Sequence, residues 1–382
     1  MRIAFDISQT GRRKAGCGYY ANALISSLLS HEALGPDHSF TLLTSCGDFF
    51  HDPLLALRAR RKARNIDYGP RLPLRRTATK FWNSASKSDE LLANQHILHT
   101  NNFWCPPRRV PCKVIYTLHD VAVFRNPEWS TARNREGCQR GISNAVKHAD
   151  HIVAVSKSTR DEFLDLFPGV DECRVSVIHP GSRFDLAEFK EEPRAPRKLR
   201  NRQSLPFFLC VGTLEPRKNL TTLLRAYSIY RERGGERIQL VLGGGQGWLM
   251  EDFLKEYASC PWRKDVLVLG YVTNSELRWL YQNCLMFFYA SLYEGFGLPI
   301  LEAMAEGAAV AASNQTSMPE IVGQAGWLLD PNSAEPWAEA MGRISTDRAL
   351  QQTLSDACRA RALNFSWQRC AGEVLALYKS MA

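Results

Sequence analysis

Two glutamates with seven residues between them bracket the stretch Glu294-Gly295-Phe296-Gly297-Leu298-Pro299-Ile300-Leu301-Glu302, which reads as a glycine turn running into a helix. Pro299 has the fixed φ and missing N–H suited to a first helical position, and Gly295 and Gly297 keep the preceding turn free of Cβ atoms. The backbone amides of Phe296, Gly297 and Leu298 are then placed to face an anion, because the first amides of a helix lack partners within it and its dipole favours negative charge there. Carboxylates, in turn, accept hydrogen bonds from sugar hydroxyls. The stretch therefore suits a diphosphate flanked by hydroxyl-rich groups, with Glu294 in the loop and Glu302 in the first turns of the helix. Taken alone it can also be read as a buried loop, an Ala-rich packing helix and two incidental acids, and its company lowers that reading.

A second group supplies cations. Val211-Gly212-Thr213-Leu214-Glu215-Pro216-Arg217-Lys218-Asn219-Leu220 follows an apolar strand, and a cation held at a strand end lowers the barrier for a departing diphosphate by offsetting its developing charge. Lys218 is the first candidate and Arg217 stands beside it. Upstream, Val114-Ile115-Tyr116-Thr117-Leu118-His119-Asp120 ends a strand in His-Asp. A side chain at the carboxyl end of a parallel strand projects where ligands bind in such sheets, and the His119 imidazole can hydrogen-bond a sugar hydroxyl. Asp120 is better suited to orienting the loop and the histidine than to acting as a base. Gly16-Cys17-Gly18-Tyr19 forms a glycine loop after the first strand, and Gly16 and Gly18 are its candidate substrate contacts. Gly243-Gly244-Gly245-Gln246-Gly247 also follows a strand, yet no acid about 20 residues further on completes a dinucleotide fingerprint.

Together these segments resemble the retaining glycosyltransferases of family 4, which have the GT-B fold. The resemblance is carried by Ser291-Leu292-Tyr293-Glu294-Gly295-Phe296-Gly297-Leu298-Pro299 with the spaced Glu302, by Glu215-Pro216-Arg217-Lys218-Asn219, and by the His119-Asp120 strand end. His99-Thr100-Asn101-Asn102-Phe103, Ala154-Val155-Ser156-Lys157-Ser158 and Ser313-Asn314 with Pro319-Glu320 fall in the family's order. It implies a hexosyltransferase using a nucleotide diphosphate sugar, with mannose from GDP-mannose as leading donor and a lipid-linked or polysaccharide acceptor of a bacterial surface glycan. Lys218 and Arg217 would hold the diphosphate, Glu294 the donor-sugar hydroxyls, Glu302 the ribose, and His119 the transferred sugar. Four positions depart from the family's frequent residues: Thr213 stands where many relatives carry an arginine, Ala290 replaces a proline, and Ala308-Ala309 replaces Thr-Pro. The first makes Arg217 the second phosphate ligand. No cofactor or metal is expected, since cations and amides rather than an Asp-x-Asp cluster meet the phosphates. A glycosyl phosphorylase, a nucleotide-sugar epimerase or a noncatalytic nucleotide-sugar-binding module would share this architecture.

The elements that must position these residues alternate along 382 residues, a length that implies two domains. Strands are expected at Arg2–Asp6, Phe40–Leu43, Ile97–Thr100, Lys113–Leu118, His151–Val155 and Arg174–Ile178, then at Pro206–Gly212, Ile238–Leu242, Val266–Leu269, Leu285–Tyr289, Ala309–Ala312 and Trp327–Leu329. Helices between them, among them Tyr19–Leu29, Thr131–Lys147 and Ser158–Phe167, imply parallel sheets covered on both faces. The fold class is α/β, two doubly wound Rossmann-like domains expected to face a cleft. Residues 188–203, charged, proline-containing and without apolar period, read as the linker between domains 1–190 and 204–365, and 366–382 reads as a terminal helix crossing back to the first domain.

Composition narrows the class further. The eleven cysteines form no Cys-x-x-Cys pair and read as reduced, small buried hydrophobes. No leader pattern follows Met1-Arg2-Ile3-Ala4-Phe5-Asp6, and the most apolar region, 284–313, is broken by Glu294, Glu302 and Glu306, so a cytoplasmic location without a membrane span is expected. The net charge of +9 is concentrated between Arg58 and Lys80, where Arg58, Arg60, Arg61, Lys62, Arg64, Arg71, Arg75, Arg76 and Lys80 face one acid, Asp67. Leu54, Leu55, Leu57, Leu72, Leu74, Phe81 and Trp82 are interleaved with them, which suits peripheral contact with anionic lipid at the inner face of the cytoplasmic membrane; a solvated basic loop has the same composition, and nucleic acid is the less favoured partner.

Overall fold

The computed structural model describes residues 1–11, 16–31, 38–46, 65–72, 74–101, 103–202, 205–245 and 247–382, with the backbone alone at 201–202. The chain divides into two compact units, Met1–Gly181 with Ser366–Ala382, and Ser182–Phe365.

The first unit contains a seven-stranded parallel sheet among the described residues: β1 (Arg2–Asp6), β2 (Ser39–Leu43), β3 (Ile66–Tyr68), β4 (Ile97–Thr100), β5 (Lys113–Leu118), β6 (His151–Ala154) and β7 (Val175–Val177), in the order β3-β2-β1-β4-β5-β6-β7. The second holds six parallel strands: β8 (Phe207–Val211), β9 (Gln239–Gly243), β10 (Val266–Gly270), β11 (Met286–Tyr289), β12 (Val310–Ser313) and β13 (Trp327–Leu329), in the order β10-β9-β8-β11-β12-β13. Buried runs such as Phe-Phe-Leu-Cys-Val in β8 and Met-Phe-Phe-Tyr in β11 are what a sheet covered on both faces requires. In each sheet the strand order reverses at one point, between β1 and β4 and between β8 and β11. Ligands of doubly wound sheets bind outside the carboxyl ends of the strands at such points. One strand, β3, escaped the sequence reading because Ile66-Asp67-Tyr68 is short and mostly exposed, leaving no apolar pattern to find.

Helix starts follow side-chain capping. Ser156 caps the helix Lys157–Leu166 by accepting from Thr159 N–H at 3.0 Å, and Ser366 caps the C-terminal helix Trp367–Met381 through Arg369 N–H. That last helix packs on the helix Gly16–Ser30 with Trp367, Cys370, Ala371, Val374, Leu375 and Tyr378 buried, the 3–4 spacing of one apolar face.

Two expectations are corrected. The first helix starts at Gly16, so Gly16 and Gly18 occupy its first turn instead of a loop; its small side chains, Gly, Cys, Gly and Ala, hid the helical period. Residues 188–203 are not the division between the units, which falls at 181/182. Residues 188–202 lie along the second unit, where Arg194 N–H donates to Ser275 O, Arg278 donates to Glu191 O, and Lys198 Nζ donates to Val268 O on the edge strand β10 at 2.7 Å. Phe189, Ala195 and Leu199 are buried there. A strap of polar residues satisfying an edge strand has the composition of a linker without being one.

Trp367 is 2% exposed and sets its ring edge against Tyr20 at 5.4 Å between centroids. Trp367→Ala is therefore expected to destabilise the first unit by about 3–5 kcal/mol, read as a lowered thermal unfolding transition; an unchanged transition would contradict this packing.

Candidate active site

In the second unit the loops leaving β8 and β11 are stitched together at the reversal point. After β8 the chain turns through the short 3₁₀ segment Pro216–Lys218 into Asn219, which is left-handed at φ 53°, a conformation asparagine tolerates better than most residues. Asn219 Nδ2 donates to Ala290 O at 3.2 Å and to Pro331 O at 2.7 Å, and Leu292 N–H donates to Arg217 O at 2.8 Å. Lys218 and Arg217 are thereby turned toward the β11 loop. The glycine run after β9 serves the same loop: Gly244, at φ 148°, lies so close that a Cβ there would meet Gly212 O at 1.8 Å, and Leu214 N–H donates to Gly245 O.

Glu294 sits at the centre. Its Oε1 accepts from Lys218 Nζ at 2.5 Å, Tyr289 OH at 2.9 Å and Ser291 Oγ at 2.8 Å, while Oε2 accepts from Arg217 Nη1 at 2.7 Å. Lys218 Nζ also donates to Tyr289 OH at 2.7 Å, and Arg217 Nη2 to Glu215 Oε1 at 2.7 Å. The Glu294 backbone is fixed as well, its N–H donating to Thr316 Oγ1 and its carbonyl accepting from Ser317 Oγ. Burial alone would raise the carboxyl pKa, but Arg217, Lys218 and the hydrogen bonds overcome it and hold the pKa at about 2. Burial, with Arg217 adjoining, pushes the Lys218 ammonium below its ordinary value against the pull of Glu294 and Glu215. Burial first, then the Glu294 charge, drives the Tyr289 phenol well above 10, so its O–H remains a donor.

The helix Leu298–Ala305 begins after Gly297, which takes φ 107°, a region that favours glycine. Pro299 follows in its first turn. Ile300 N–H already turns back to Gly297 O, and among the described residues no acceptor pairs with the amides of Gly297 and Leu298, the condition an anion needs. The Phe296 side chain packs edge-on against Phe365, and its carbonyl accepts from Ser317 Oγ at 2.7 Å. Glu302 is 1% exposed; Arg183 Nε donates to its Oε1 at 2.6 Å and Tyr281 OH reaches Oε2 at 3.4 Å. Burial, aided by Glu306, raises its pKa against the Arg183 guanidinium.

In the first unit His119 follows β5 directly. Its Nε2 donates to Asn101 O at 2.7 Å, and its ring lies 5.0 Å from Tyr20 and 5.8 Å from Phe103 between centroids. Burial lowers its pKa to about 4, partly offset by the Asn101 carbonyl, so the imidazole is neutral near pH 7. Asp120 Oδ1 accepts from Ala122 N–H at 3.1 Å and so shapes the loop. Gly16 is exposed at the start of its helix, whereas Gly18 is buried.

The structure thus joins Glu294, Lys218 and Arg217 in one network. Sequence reading missed Tyr289, Ser291, Thr316 and Arg183, although Ser291 stood inside a quoted motif; Arg183 had no signal, being 119 residues from its partner Glu302. Of the basic segment, Arg58, Arg60, Arg61, Lys62 and Arg64 with Leu54, Leu55 and Leu57 lie outside the described residues. Arg71, Arg75, Arg76, Lys80 and Leu74 are exposed. Trp82 is corrected from a surface residue to core: it is 5% exposed, and its indole N–H donates to Ser45 O at 2.8 Å.

Comparison with known proteins accords with these motifs. The family model "Glycosyl transferases group 1" matches residues 191–361, and "Glycosyltransferase Family 4" matches residues 30–185. The O-antigen chain mannosyltransferase B of Escherichia coli is 32% identical over 291 residues, 74% of each chain. The serotype-specific mannosyltransferase WbdA of Escherichia coli is 31% identical over 70% of this chain, which spans 33% of that longer protein. Among solved structures, sucrose-phosphate synthase from Thermosynechococcus elongatus superimposes with a TM-score of 0.73 over 100% of this chain and 99% of its own at 21% identity, which shows the fold. The chain belongs to glycosyltransferase family 4, with two Rossmann-like domains of the GT-B type, and is a nucleotide-sugar-dependent glycosyltransferase acting on a glycan acceptor, related to the bacterial mannosyltransferases of surface-polysaccharide synthesis.

Proposed function

We propose that this enzyme moves a hexose, mannose from GDP-mannose, with retention of configuration to a hydroxyl of a lipid-linked surface polysaccharide. The observation that carries the reading is the convergence of Lys218 and Arg217 on the ionised Glu294 at the carboxyl ends of β8 and β11. A diphosphate arriving there offers both cations a stronger anion, and Glu294, released from part of its hydrogen bonding, is free to accept from sugar hydroxyls. Mannose is favoured by the relatives named as mannosyltransferases.

In this reading the bond from the anomeric carbon to the phosphate oxygen breaks, and a bond to the acceptor oxygen forms on the same face. The acceptor proton passes to the departing phosphate oxygen, giving a nucleoside diphosphate. Lys218, Arg217 and the amides of Gly297 and Leu298 stabilise the charge on the leaving group. The Phe296 amide joins that helix-start set. Glu302 takes the ribose hydroxyls once Arg183 swings away from Oε1. His119, donating through Nε2 to Asn101, presents Nδ1 to a hydroxyl of the transferred sugar. Gly16 and Gly18 stand at the start of the helix after β1, and a side chain's worth of space is open at the exposed Gly16, which supports a substrate contact there.

The exposed Arg71, Arg75, Arg76 and Lys80, with Leu74 64% exposed, support peripheral attachment to anionic lipid at the inner face of the cytoplasmic membrane, where each cation adds about 1 kcal/mol. Among the described residues no helix is long and apolar enough to cross a membrane.

Glu294→Ala and Lys218→Ala are each expected to lower nucleotide release from GDP-mannose by at least about 100-fold with the circular dichroism spectrum preserved; turnover unchanged in either variant sinks the assignment. Reversing Arg75, Arg76 and Lys80 together to glutamate is expected to abolish cosedimentation with phosphatidylglycerol vesicles at low salt. Equal sedimentation of the triple variant would remove the membrane reading.

A further inference from the structure

The motif His99-Thr100-Asn101, unassigned by the transfer chemistry, lies in a hydrogen-bonded chain that begins on the C-terminal helix. Tyr378 OH meets His99 Nδ1 at 2.5 Å, His99 Nε2 meets Thr117 Oγ1 at 2.8 Å, and Thr117 Oγ1 donates to Asn101 Oδ1 at 3.1 Å. Asn101 Nδ2 donates to Asp6 O at 3.1 Å and Asn101 N–H to Asp6 Oδ2 at 3.3 Å, while its carbonyl accepts from His119 Nε2 at 2.7 Å. His99, Asn101, Thr117 and Tyr378 are each no more than 1% exposed.

The proton positions follow by elimination. Asn101 Nδ2 faces a carbonyl and must donate, so Oδ1 is the acceptor and Thr117 spends its only hydroxyl proton on it. Thr117 can then only accept from His99, which places the His99 proton on Nε2. Burial, with His119 adding to it, lowers the His99 pKa to about 3, so the ring is neutral and its Nδ1 must accept from Tyr378 OH. Every member has one role, and the chain ends on the residue whose carbonyl holds His119.

We propose that Tyr378 and Thr117 are positioning residues for His119: through His99 they lock Asn101, whose carbonyl fixes the Nε2–H tautomer and leaves Nδ1 as the atom offered to substrate. This rests on the reading that His119 touches the transferred sugar. The C-terminal helix thereby has a part in catalysis although none of its side chains need touch a reactant.

The test compares Thr117→Val, isosteric but unable to donate, with Thr117→Ser, which keeps the hydroxyl, and with His119→Ala. Thr117→Val is expected to lower kcat about tenfold, the scale of one misplaced hydrogen bond, with a smaller change in KM for the donor because Lys218, Arg217 and Glu294, which hold the rest of it, belong to the other unit. Thr117→Ser is expected to restore kcat. In ¹⁵N-histidine-labelled protein the His119 ring signals should report an Nε2–H tautomer that Thr117→Val disturbs and Thr117→Ser does not. Tyr378→Phe, which removes one hydroxyl at the far end, should disturb the same signals if Thr117→Val fails to fold. Undisturbed His119 signals in folded Thr117→Val or Tyr378→Phe protein overturn the proposal, as does a loss of kcat that serine does not restore. Full transfer by His119→Ala, with the signals still disturbed in Thr117→Val, would leave the positioning standing and remove the functional reading of His119.

Discussion

A carboxylate only 7% exposed stays ionised when its surroundings replace water, and Glu294 obtains that replacement from two cations and two hydroxyls. Removal of either cation would leave the buried carboxylate with one countercharge where it has two, a destabilising change. The geometry of both loops follows from this requirement. Asn219 accepts a left-handed conformation, Leu292 bonds back to Arg217, and Thr316 and Ser317 hold the Glu294 backbone so that four donors converge on two oxygens. Such an arrangement is a poor way to gain stability, since an apolar core of the same volume would serve as well. Its value lies in being exchangeable: the cations that neutralise Glu294 are also suited to a diphosphate.

The first unit solves a different problem with the same means. Its reversal point lies between β1 and β4, where Asp6 and Asn101 end adjacent strands or begin the loops beyond them. Burial raises the Asp6 pKa to about 6, even though Ser8 and Asn101 donate to it. Among the described residues, the hydrogen bonds that run from Tyr378 through His99 and Thr117 to Asn101 join neutral side chains, and a backbone carbonyl holds His119. The ion pairs that hold Glu294 lie in the second unit, and such cations suit a diphosphate.

Much of this was legible in the sequence because the physics was local. Continuous apolar runs named twelve of the strands near their observed limits, and glycine, proline and charge named Glu294, Lys218, Arg217 and Gly297. What was not legible depended on distance along the chain. Tyr289 looked like one more aromatic of a buried strand until its hydroxyl proved to lie between Lys218 and Glu294. Arg183 gave no signal at all, and Trp82 read as a membrane anchor because its neighbours are basic, whereas its indole is packed inside. The strap at 188–202 misled for a related reason: polar composition reveals that a segment is solvated, not which unit it is bonded to.

The central claim is that Glu294 serves the sugar while Lys218 and Arg217 serve the diphosphate. Calorimetric titration of GDP, with UDP alongside, into the wild-type enzyme, Glu294→Gln and Lys218→Ala tests it directly. The account predicts that a nucleoside diphosphate lacking sugar binds Glu294→Gln at least as tightly as wild type, because the cations are released from competition, and binds Lys218→Ala at least about tenfold more weakly. Equal loss of diphosphate affinity in both variants would contradict it and reduce Glu294 to a scaffold for Lys218.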